Sequence, residues 1–365
     1  MRIVFILLIS AVVFVACDGN SGRRDKGLLP PASGKAGELI VVMDSAKWAG
    51  ELGDQIRQTF RAEIGGLPRG ESMFKVNYVD PRSLNDILKS VRNLLFVVTL
   101  DDKRPGSRLV RNYFTQASIK KIKEDPELYV HTARDEFAKG QSVMYLFGQN
   151  DELLINKIQK NESQLQRYFN NAENKRLQAG LYKAKEVEGV TTMLKESHKC
   201  SMRIPFGYKL VINQPGFVWF RQINAESDMN VFITYRPYTS EEQFDQDAII
   251  SLRDSIARNQ LFEDPDAPET HIVTETKVPF VPVVSKKVSF DGQFAVETRG
   301  LWKTNNLSMG GPFISYTLVN EEKNRLFYIE GFVYSPGKNQ REDIRELEVI
   351  LSTFEPTVPQ ESSGS

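Results

Sequence analysis

Histidine and cysteine are scarce in this chain, which has three histidines and two cysteines among 365 residues. His131, His198 and His271 lie far apart, and none has a second histidine within a helical turn or two. Protein metal sites usually group their ligands on one element or on a close pair of elements. The nearest approach is His198 with Cys200, a short pairing that occurs often by chance. The sequence therefore predicts no metal site and no cofactor.

The signatures of several enzyme classes are absent as well. The sequence contains no G-x-S-x-G turn, H-E-x-x-H helix, Walker loop, G-x-G-x-x-G or C-x-x-C motif. An enzyme stays open as an alternative, because catalytic triads assemble from residues that are distant in sequence.

Charge of one sign is not in excess either. Lys+Arg and Asp+Glu each number 47, and loss of a leader that contains Arg2 leaves one more acid than base. Nucleic-acid binding depends on a net basic face that displaces phosphate counterions. No nucleic-acid partner is predicted.

The chain also has no apolar run long enough to span a membrane, since such a helix needs about 20 residues. Its most apolar stretch runs from Ile3 to Ala16 and is interrupted by Ser10. Arg2 precedes this stretch, and Cys17 with a polar segment follows it. A charged start, a short apolar region and a cut site are the layout of a signal peptide. We assign residues 1–16 to that role.

Two kinds of cleavage are compatible with this leader. Ordinary secretory cleavage after Ala16 prefers a small residue two positions earlier, where Phe14 stands. Residues 14–17 resemble instead a bacterial lipobox, in which a small residue precedes a cysteine that takes a diacylglyceryl group. Phe14 departs from that pattern, since leucine is commonest there. We expect lipidated Cys17, with a plain secreted form as the alternative. Several acyl chains would hold the protein firmly on a membrane.

Cys200 is the remaining cysteine, and its role depends on the fate of Cys17. A disulfide between the two is excluded if Cys17 carries lipid, which leaves Cys200 as a lone thiol. We expect a small buried apolar residue there, since one neighbouring cation, Lys199, is weak evidence for an activated thiol. A redox role stays open, and burial of the sulfur would remove it.

The mature chain is too long for one ordinary core, so two domains are expected. Residues 17–37 are rich in Gly, Ser, Pro and charge, which predicts a flexible tether behind the lipidated cysteine. An N-terminal α/β-like domain is predicted over 38–185, because buried-strand runs alternate there with helical patterns. Residues 190–356 are assigned to a second domain. Residues 357–365 are expected to form a disordered tail.

The second domain has the pattern of short strands separated by turns. The segment Phe290–Gln293 contains Asp-Gly between two β-rich runs, which predicts a type I′ hairpin. Helices are expected after Ser240 and over 339–352, from a capping box and an apolar stripe. The sequence therefore predicts a curved antiparallel sheet with helices packed on one side. The fold class of the whole chain is α+β.

One binding groove is suggested by the pattern around Trp302. Gly310 and Gly311 lie close to it in sequence, and adjacent glycines let the backbone approach a ligand or offer amide donors. A wide hairpin turn is the alternative use of this glycine pair. Trp302, Gly310 and Gly311 are the candidate binding residues.

Four segments resemble domain of unknown function family 4837 (DUF4837): residues 29–44, 79–89, 204–209 and 309–313. The likeness runs from about residue 28 to 356. It implies a bacterial envelope lipoprotein without an assigned activity, and it brings no catalytic residues.

These observations predict a membrane-anchored lipoprotein of the bacterial cell envelope that faces the periplasm or the cell exterior. Its expected role is non-catalytic binding or scaffolding, with the membrane reached through the lipid anchor and with an envelope protein or glycan as partner. The alternative is an envelope hydrolase whose site assembles from distant residues.

The location depends on Cys17, and mass spectrometry of the mature N-terminal peptide tests it. We expect a peptide that begins at Cys17 and carries the mass of a diacylglyceryl group, with or without a further acyl chain. An unmodified thiol at Cys17, or an intact leader, would contradict the assignment.

Overall fold

The computed structural model describes residues 29–261, 267–277 and 281–356. The expected signal peptide, Cys17 and the tail 357–365 lie outside these ranges. The α+β architecture is confirmed, because the described residues form two sheets with helices packed on them. None of the helices within these ranges has the length and apolarity that crossing a bilayer demands.

The N-terminal domain is built on a five-stranded sheet. Its strands are β1 (Glu38–Val42), β2 (Lys75–Val79), β3 (Asn93–Thr99), β4 (Val130–Arg134) and β5 (Ser142–Gly148). Their order is β2-β1-β3-β5-β4, parallel except for the edge strand β4. Every residue of β3 and β5 is buried. Covering both faces of a parallel sheet explains the continuous apolar runs in these strands.

Helices cover both faces of this sheet. They are α1 (Ser45–Trp48), α2 (Glu51–Phe60), α3 (Asp86–Lys89), α4 (Pro105–Arg111), α5 (Gln116–Glu124), α6 (Asp151–Lys160) and α7 (Glu162–Leu181). Helices α2, α6 and α7 pack on one face, and α4 and α5 contribute Val110 and Ile122 to the other. Helices α6 and α7 follow each other directly and meet at Asn161.

The predicted tether is too long at its C-terminal end. The backbone of Ala32 donates to Lys139 O at 2.9 Å, and Ser33 N donates to Ser90 O at 2.9 Å. Arg92 N in turn donates to Ser33 O at 2.9 Å. Residues 30–33 are therefore fixed along the N-terminal domain, because their backbone finds partners that the local composition does not reveal.

The C-terminal domain is an eight-stranded antiparallel sheet that curls into a half-barrel. Its strands are β6 (Lys209–Gln214), β7 (Phe217–Ile223), β8 (Asp228–Pro237), β9 (Ile272–Glu275), β10 (Val284–Phe290), β11 (Gln293–Thr304), β12 (Gly310–Asn320) and β13 (Arg325–Tyr334). The order is β10-β11-β12-β13-β8-β7-β6, with β9 paired to β11. The predicted hairpin is confirmed, since Phe290 pairs with Gln293 and the φ angles of Asp291 and Gly292 are 46° and 82°.

Helices lie on both faces of this second sheet, so the expectation of helices on one side is wrong. The helices here are α8 (Val190–Met193), α9 (Gln246–Gln260) and α10 (Arg341–Leu351). Helix α9 packs against Trp219 and Phe232, and α10 packs against Val218 and Ile329. The strands carry large apolar residues at successive positions, so both faces need a cover.

A loop of the N-terminal domain reaches into the C-terminal domain. It connects α2 to β2, and its Leu67 is buried in the core beneath α10. The Glu71 carboxylate of the same loop accepts the backbone N–H groups of Gln340 and Arg341 at 2.7 and 3.0 Å. These are unpaired donors at the start of α10, where the helix dipole favours a negative charge. The loop therefore fixes α10 against the N-terminal domain.

A buried ion pair ties α9 to the sheet. Arg253 is 1% exposed and Glu330 is 0% exposed, and their Nη2 and Oε1 atoms lie 2.8 Å apart. Thr274 accepts from Arg253, Tyr328 donates to Glu330, and the guanidinium lies over the Phe313 ring at 4.1 Å. Removing one partner of such a pair leaves a buried charge without compensation.

We expect Glu330→Gln to lower the free energy of unfolding by about 3–5 kcal/mol, because Arg253 stays charged and buried. The measurement is urea denaturation followed by the fluorescence of Trp219 and Trp302. Glu322→Gln, at an exposed carboxylate, is the matched control and should change stability by about 0.5 kcal/mol or less. A loss below about 1 kcal/mol for Glu330→Gln would show that the pair is not essential to the fold.

Candidate functional site

A cleft of about 450 Å³ opens between the two domains. The N-terminal domain lines it with residues 63–65, Met73 and one face of α7. The C-terminal domain lines it with β10, β11 and one face of α10. Clefts of this size at domain boundaries are the usual place for small ligands. We therefore treat the interdomain cleft as the candidate site.

The wall from the N-terminal domain is a stripe of amide side chains. Gln166, Asn170 and Asn174 follow one another at four-residue spacing on α7 and face the cleft together. Gln166 donates to Thr59 O at 2.7 Å, and Asn170 donates to the sulfur of Met73 at 3.1 Å. The amide oxygens, and a donor that meets only a weak sulfur acceptor, leave hydrogen-bonding capacity toward the cleft.

The facing wall is charged. Its basic side chains, Lys286, Arg299, Arg341 and Arg345, outnumber its acidic ones, Glu297 and Glu348, while Arg167 and Glu63 add one charge of each sign from the N-terminal wall. Spacing along α10 explains part of this set, because positions 341, 345 and 348 share one helix face. The cleft therefore carries a formal excess of two positive charges.

Three of these charges form one ion-paired cluster, in which Arg299 lies between Glu297 and Glu348. Arg299 Nε lies 2.7 Å from Glu297 Oε1, and its Nη2 lies 2.9 Å from Glu348 Oε2. Burial acts to raise the pKa of Glu297, but the charge and hydrogen bond of Arg299 and the Tyr316 hydroxyl outweigh it and lower that pKa. The Glu297 carboxylate is therefore ionised, and Arg299 and Tyr316 are its hydrogen-bond partners.

Arg345 is not neutralised in this way. Its side chain is 6% exposed, and its closest carboxylate is Glu342, at 3.6 Å from Nε. Glu342 is held more closely by Arg341, at 2.7 Å. The Nη1 atom of Arg345 is buried and has no hydrogen-bond partner in the described part of the chain. Arg345 thus brings to the cleft a cation that its nearest described carboxylate pairs with only loosely.

The side chains of the cleft are suited to recognising a polar ligand. Its lining, as far as the structure describes it, contains neither histidine nor cysteine. Glycoside hydrolysis requires one carboxyl that is protonated at neutral pH beside one that is ionised. Glu297 does not meet the first condition, because its pKa is lowered. Amides, guanidinium groups and carboxylates can all bind a polar ligand.

The structure gives the predicted groove residues a different role. Trp302 lies on β11 and is 2% exposed, and its Nε1 donates to Val333 O at 3.2 Å. Gly311 pairs with Trp302 across the strands, and Gly310 pairs with Lys303. A Cβ atom on Gly311 would lie 2.0 Å from Val333 O. The glycines sit in β12 rather than in a turn, and Gly311 lets the indole reach across to β13.

Trp302 does border a smaller pocket, of about 140 Å³. Trp219, Phe332 and Tyr334 line it as well, and the ion pair of Arg221 with Asp228 adds its polar part. Gly310 and Gly311 are not part of its lining. The predicted groove is therefore a small aromatic pocket without the glycine cradle.

The histidines lie apart from the cleft and from one another. His131 is exposed on β4, and His271 contacts Arg258 at 2.9 Å. His198 is buried, with its Nε2 atom 2.7 Å from the Asn213 side chain. In the ranges that the structure covers, no three His, Cys, Asp or Glu side chains group as metal ligands would.

Cys200 is an inert core residue. It is 0% exposed, and burial raises the pKa of its thiol to about 12. The thiolate is the reactive form of cysteine, so this environment opposes redox chemistry. The redox alternative is thereby removed.

Sequence reasoning missed the residues of the interdomain cleft. Helix α10 was expected from its apolar stripe, but the charged face at 341, 345 and 348 looks like any solvated helix face. The amide spacing of 166, 170 and 174 was a usable signal. Their convergence on α10 depends on how the two domains pack.

Family models match the two halves of the chain separately. Residues 188–353 match the family described as domain of unknown function (DUF4837). The C-terminal domain is a DUF4837 domain. Residues 32–182 match another, described as domain of unknown function (DUF8532), so the DUF4837 likeness expected over 28–356 is confined to the second half. The cleft thus lies between the DUF4837 domain and its DUF8532 neighbour.

No curated protein matches the chain. Among solved structures, a mutant of the protein Mog1 is 9% identical, with a TM-score of 0.29, and the match covers 48% of this chain and 96% of that one. The Saccharomyces cerevisiae Ran-binding protein Mog1p is 9% identical, with a TM-score of 0.25 and coverages of 43% and 89%. Human StAR-related lipid transfer protein 5 is 9% identical, with a TM-score of 0.23 and coverages of 50% and 95%. Similarities this low carry no functional argument.

We expect Gly311→Ala to destabilise the DUF4837 domain by about 3 kcal/mol, since the new methyl group would overlap the backbone oxygen of Val333. Thermal denaturation of the two proteins measures this loss. Gly180→Ala is the control, because its helical site is open and alanine there should stabilise by up to about 1 kcal/mol. An unchanged melting temperature in Gly311→Ala would restore the binding interpretation of the glycine pair.

Proposed function

We propose that this chain is a lipid-anchored protein of the bacterial cell envelope that binds an envelope component in its interdomain cleft without converting it. The observation that carries the proposal is the cleft itself, a space of about 450 Å³ with polar walls supplied by both domains. The leader pattern before Cys17 supports the proposed location in the cell envelope. The charge pairs around Arg299 support binding over catalysis.

The proposed lipid anchor would hold the proposed binding cleft close to the membrane. The backbone is fixed to the N-terminal domain from about Pro30 onward, where Lys139 N donates to Pro30 O at 2.7 Å. Lipidated Cys17 would therefore hold the body within a short span of chain from the membrane surface. A binding protein held there meets envelope proteins and glycans at high local concentration.

An envelope hydrolase is the alternative, and one observation favours it. Burial, together with Asp343, raises the pKa of Glu346 to about 7, and burial, together with Glu71, raises that of Asp343 to about 6. Carboxyl groups tuned toward neutrality are common in active sites. Neither group lines the cleft, however, and helix packing on the DUF4837 core accounts for their burial.

Site-specific photocrosslinking in living cells tests the proposal. A benzophenone side chain at Asn174 would stand in the wall of the cleft, and one at Lys120 would stand on exposed α5 as the matched control. We expect Asn174, and not Lys120, to capture one defined envelope protein or glycan, identified by mass spectrometry.

The opposite result distinguishes the two functions. Suppose that Asn174 captures nothing, while the purified mature protein releases products from an envelope extract and Glu346→Gln stops that release. The binding proposal would then be wrong, and the hydrolase would replace it.

A further inference from the structure

Arg345 is a buried cation whose charge the fold leaves largely unmatched. Its side chain is 6% exposed, and the Glu342 carboxylate at 3.6 Å is shared with Arg341. Within the described residues, its Nη1 atom has no hydrogen-bond partner. Arginine cannot lose its proton to escape this situation, as a buried lysine can. Packing alone gives no reason to keep a guanidinium group here.

The neighbouring Arg299 shows what a structural arginine in the same wall looks like. Its side-chain nitrogens lie 2.7 Å from Glu297 and 2.9 Å from Glu348, so carboxylates of the same chain pair with its positive charge. The contrast favours a bound ligand as the source of the partner that Arg345 lacks among the described residues. A planar guanidinium group pairs best with a carboxylate, through two parallel hydrogen bonds.

The opposite wall restricts the rest of such a ligand. The amides of Gln166, Asn170 and Asn174 offer paired donors and acceptors along one line. Hydroxyl groups, which both donate and accept, match such a row. Among the described residues, apolar contact is limited to side chains such as Met73, Val284 and Ile344, and none of those that line the cleft is aromatic. A peptide with large apolar side chains would find little to bury.

We infer that the interdomain cleft binds a saccharide that carries a carboxylate, with the carboxylate on Arg345 and the hydroxyl groups on the amides of α7. This inference rests on the proposed function and names the chemical class of its ligand. The volume of about 450 Å³ suits a ligand of one or two sugar rings.

Calorimetric titration of the mature protein in detergent tests the inference with a matched pair of sugars. N-acetylmuramic acid carries a carboxylate, and N-acetylglucosamine is its neutral counterpart. We expect the acidic sugar to bind at least about ten-fold more tightly, since a charge-assisted hydrogen bond contributes that much. Sodium acetate and acetyl-D-alanyl-D-alanine serve as carboxylates without a sugar.

Arg345→Met separates a ligand contact from a structural role. We expect it to abolish the ten-fold preference for the acidic sugar while leaving the melting temperature equal or higher, because an unpaired buried guanidinium is removed. Arg299→Met should instead lower the melting temperature, since Glu297 and Glu348 would lose their ion-pair partner. Arg108→Met, at an exposed arginine of α4 outside the cleft, should change neither the melting temperature nor the sugar preference.

Several outcomes would overturn the inference. If the two sugars bind with equal affinity, or if Arg345→Met keeps the preference for the acidic sugar, then Arg345 does not bind the ligand carboxylate. If acetate or the dipeptide binds as tightly as the acidic sugar, the proposal that the ligand is a saccharide is wrong. Capture of an envelope component at Asn174 together with any of these results leaves the proposed function standing and refutes its ligand class alone.

Discussion

The carboxylate of Glu71 is the contact on which the arrangement of the two domains depends. It accepts two backbone N–H groups at the start of α10, at 2.7 and 3.0 Å, although it belongs to the other domain. A helix start needs such acceptors, and a carboxylate there is favoured further by the helix dipole. Leu67 of the same loop is buried beneath α10, so the polar contact is backed by apolar packing. The helix that carries Arg341, Arg345 and Glu348 is thereby fixed opposite α7.

The DUF4837 domain contains two kinds of buried arginine. One kind has partners that stabilise the fold, and the other lacks them and is proposed to bind a ligand. Arg253 pairs with Glu330 and Thr274, and Phe313 covers its guanidinium, so removing its partners would damage the fold. Arg345 is almost as deeply buried and has no comparable partner in the described structure. Stability alone would favour an apolar side chain at that position. The proposed ligand therefore accounts for Arg345 better than the packing of α10 does.

The parts of this structure that the sequence could predict are those that local chemistry decides. Apolar runs predicted strands such as β1 and β3, and Asp291 with Gly292 predicted a hairpin, because these signals act over a few residues. The contact of Glu71 with Gln340 spans 269 residues, and no local pattern encodes it. Trp302 and Gly311 were recognised as neighbours, but their role depends on strand register and on Val333. Local composition suggested a groove that includes the glycines, whereas long-range pairing leaves Trp302 at a small aromatic pocket and places Gly310 and Gly311 outside its lining.

The candidate cleft needs walls from both separately matched domains, so neither domain forms it alone. The amide wall belongs to the half that matches DUF8532, and the charged wall belongs to the DUF4837 half. Glu71 and Leu67 hold these walls together, so contacts within the chain, and not the proposed ligand, fix their arrangement. Walls fixed in this way avoid the entropy cost of ordering the domains around their ligand. Loss of the Glu71 contact would therefore weaken binding by separating the walls, even though Glu71 itself lies outside the cleft lining.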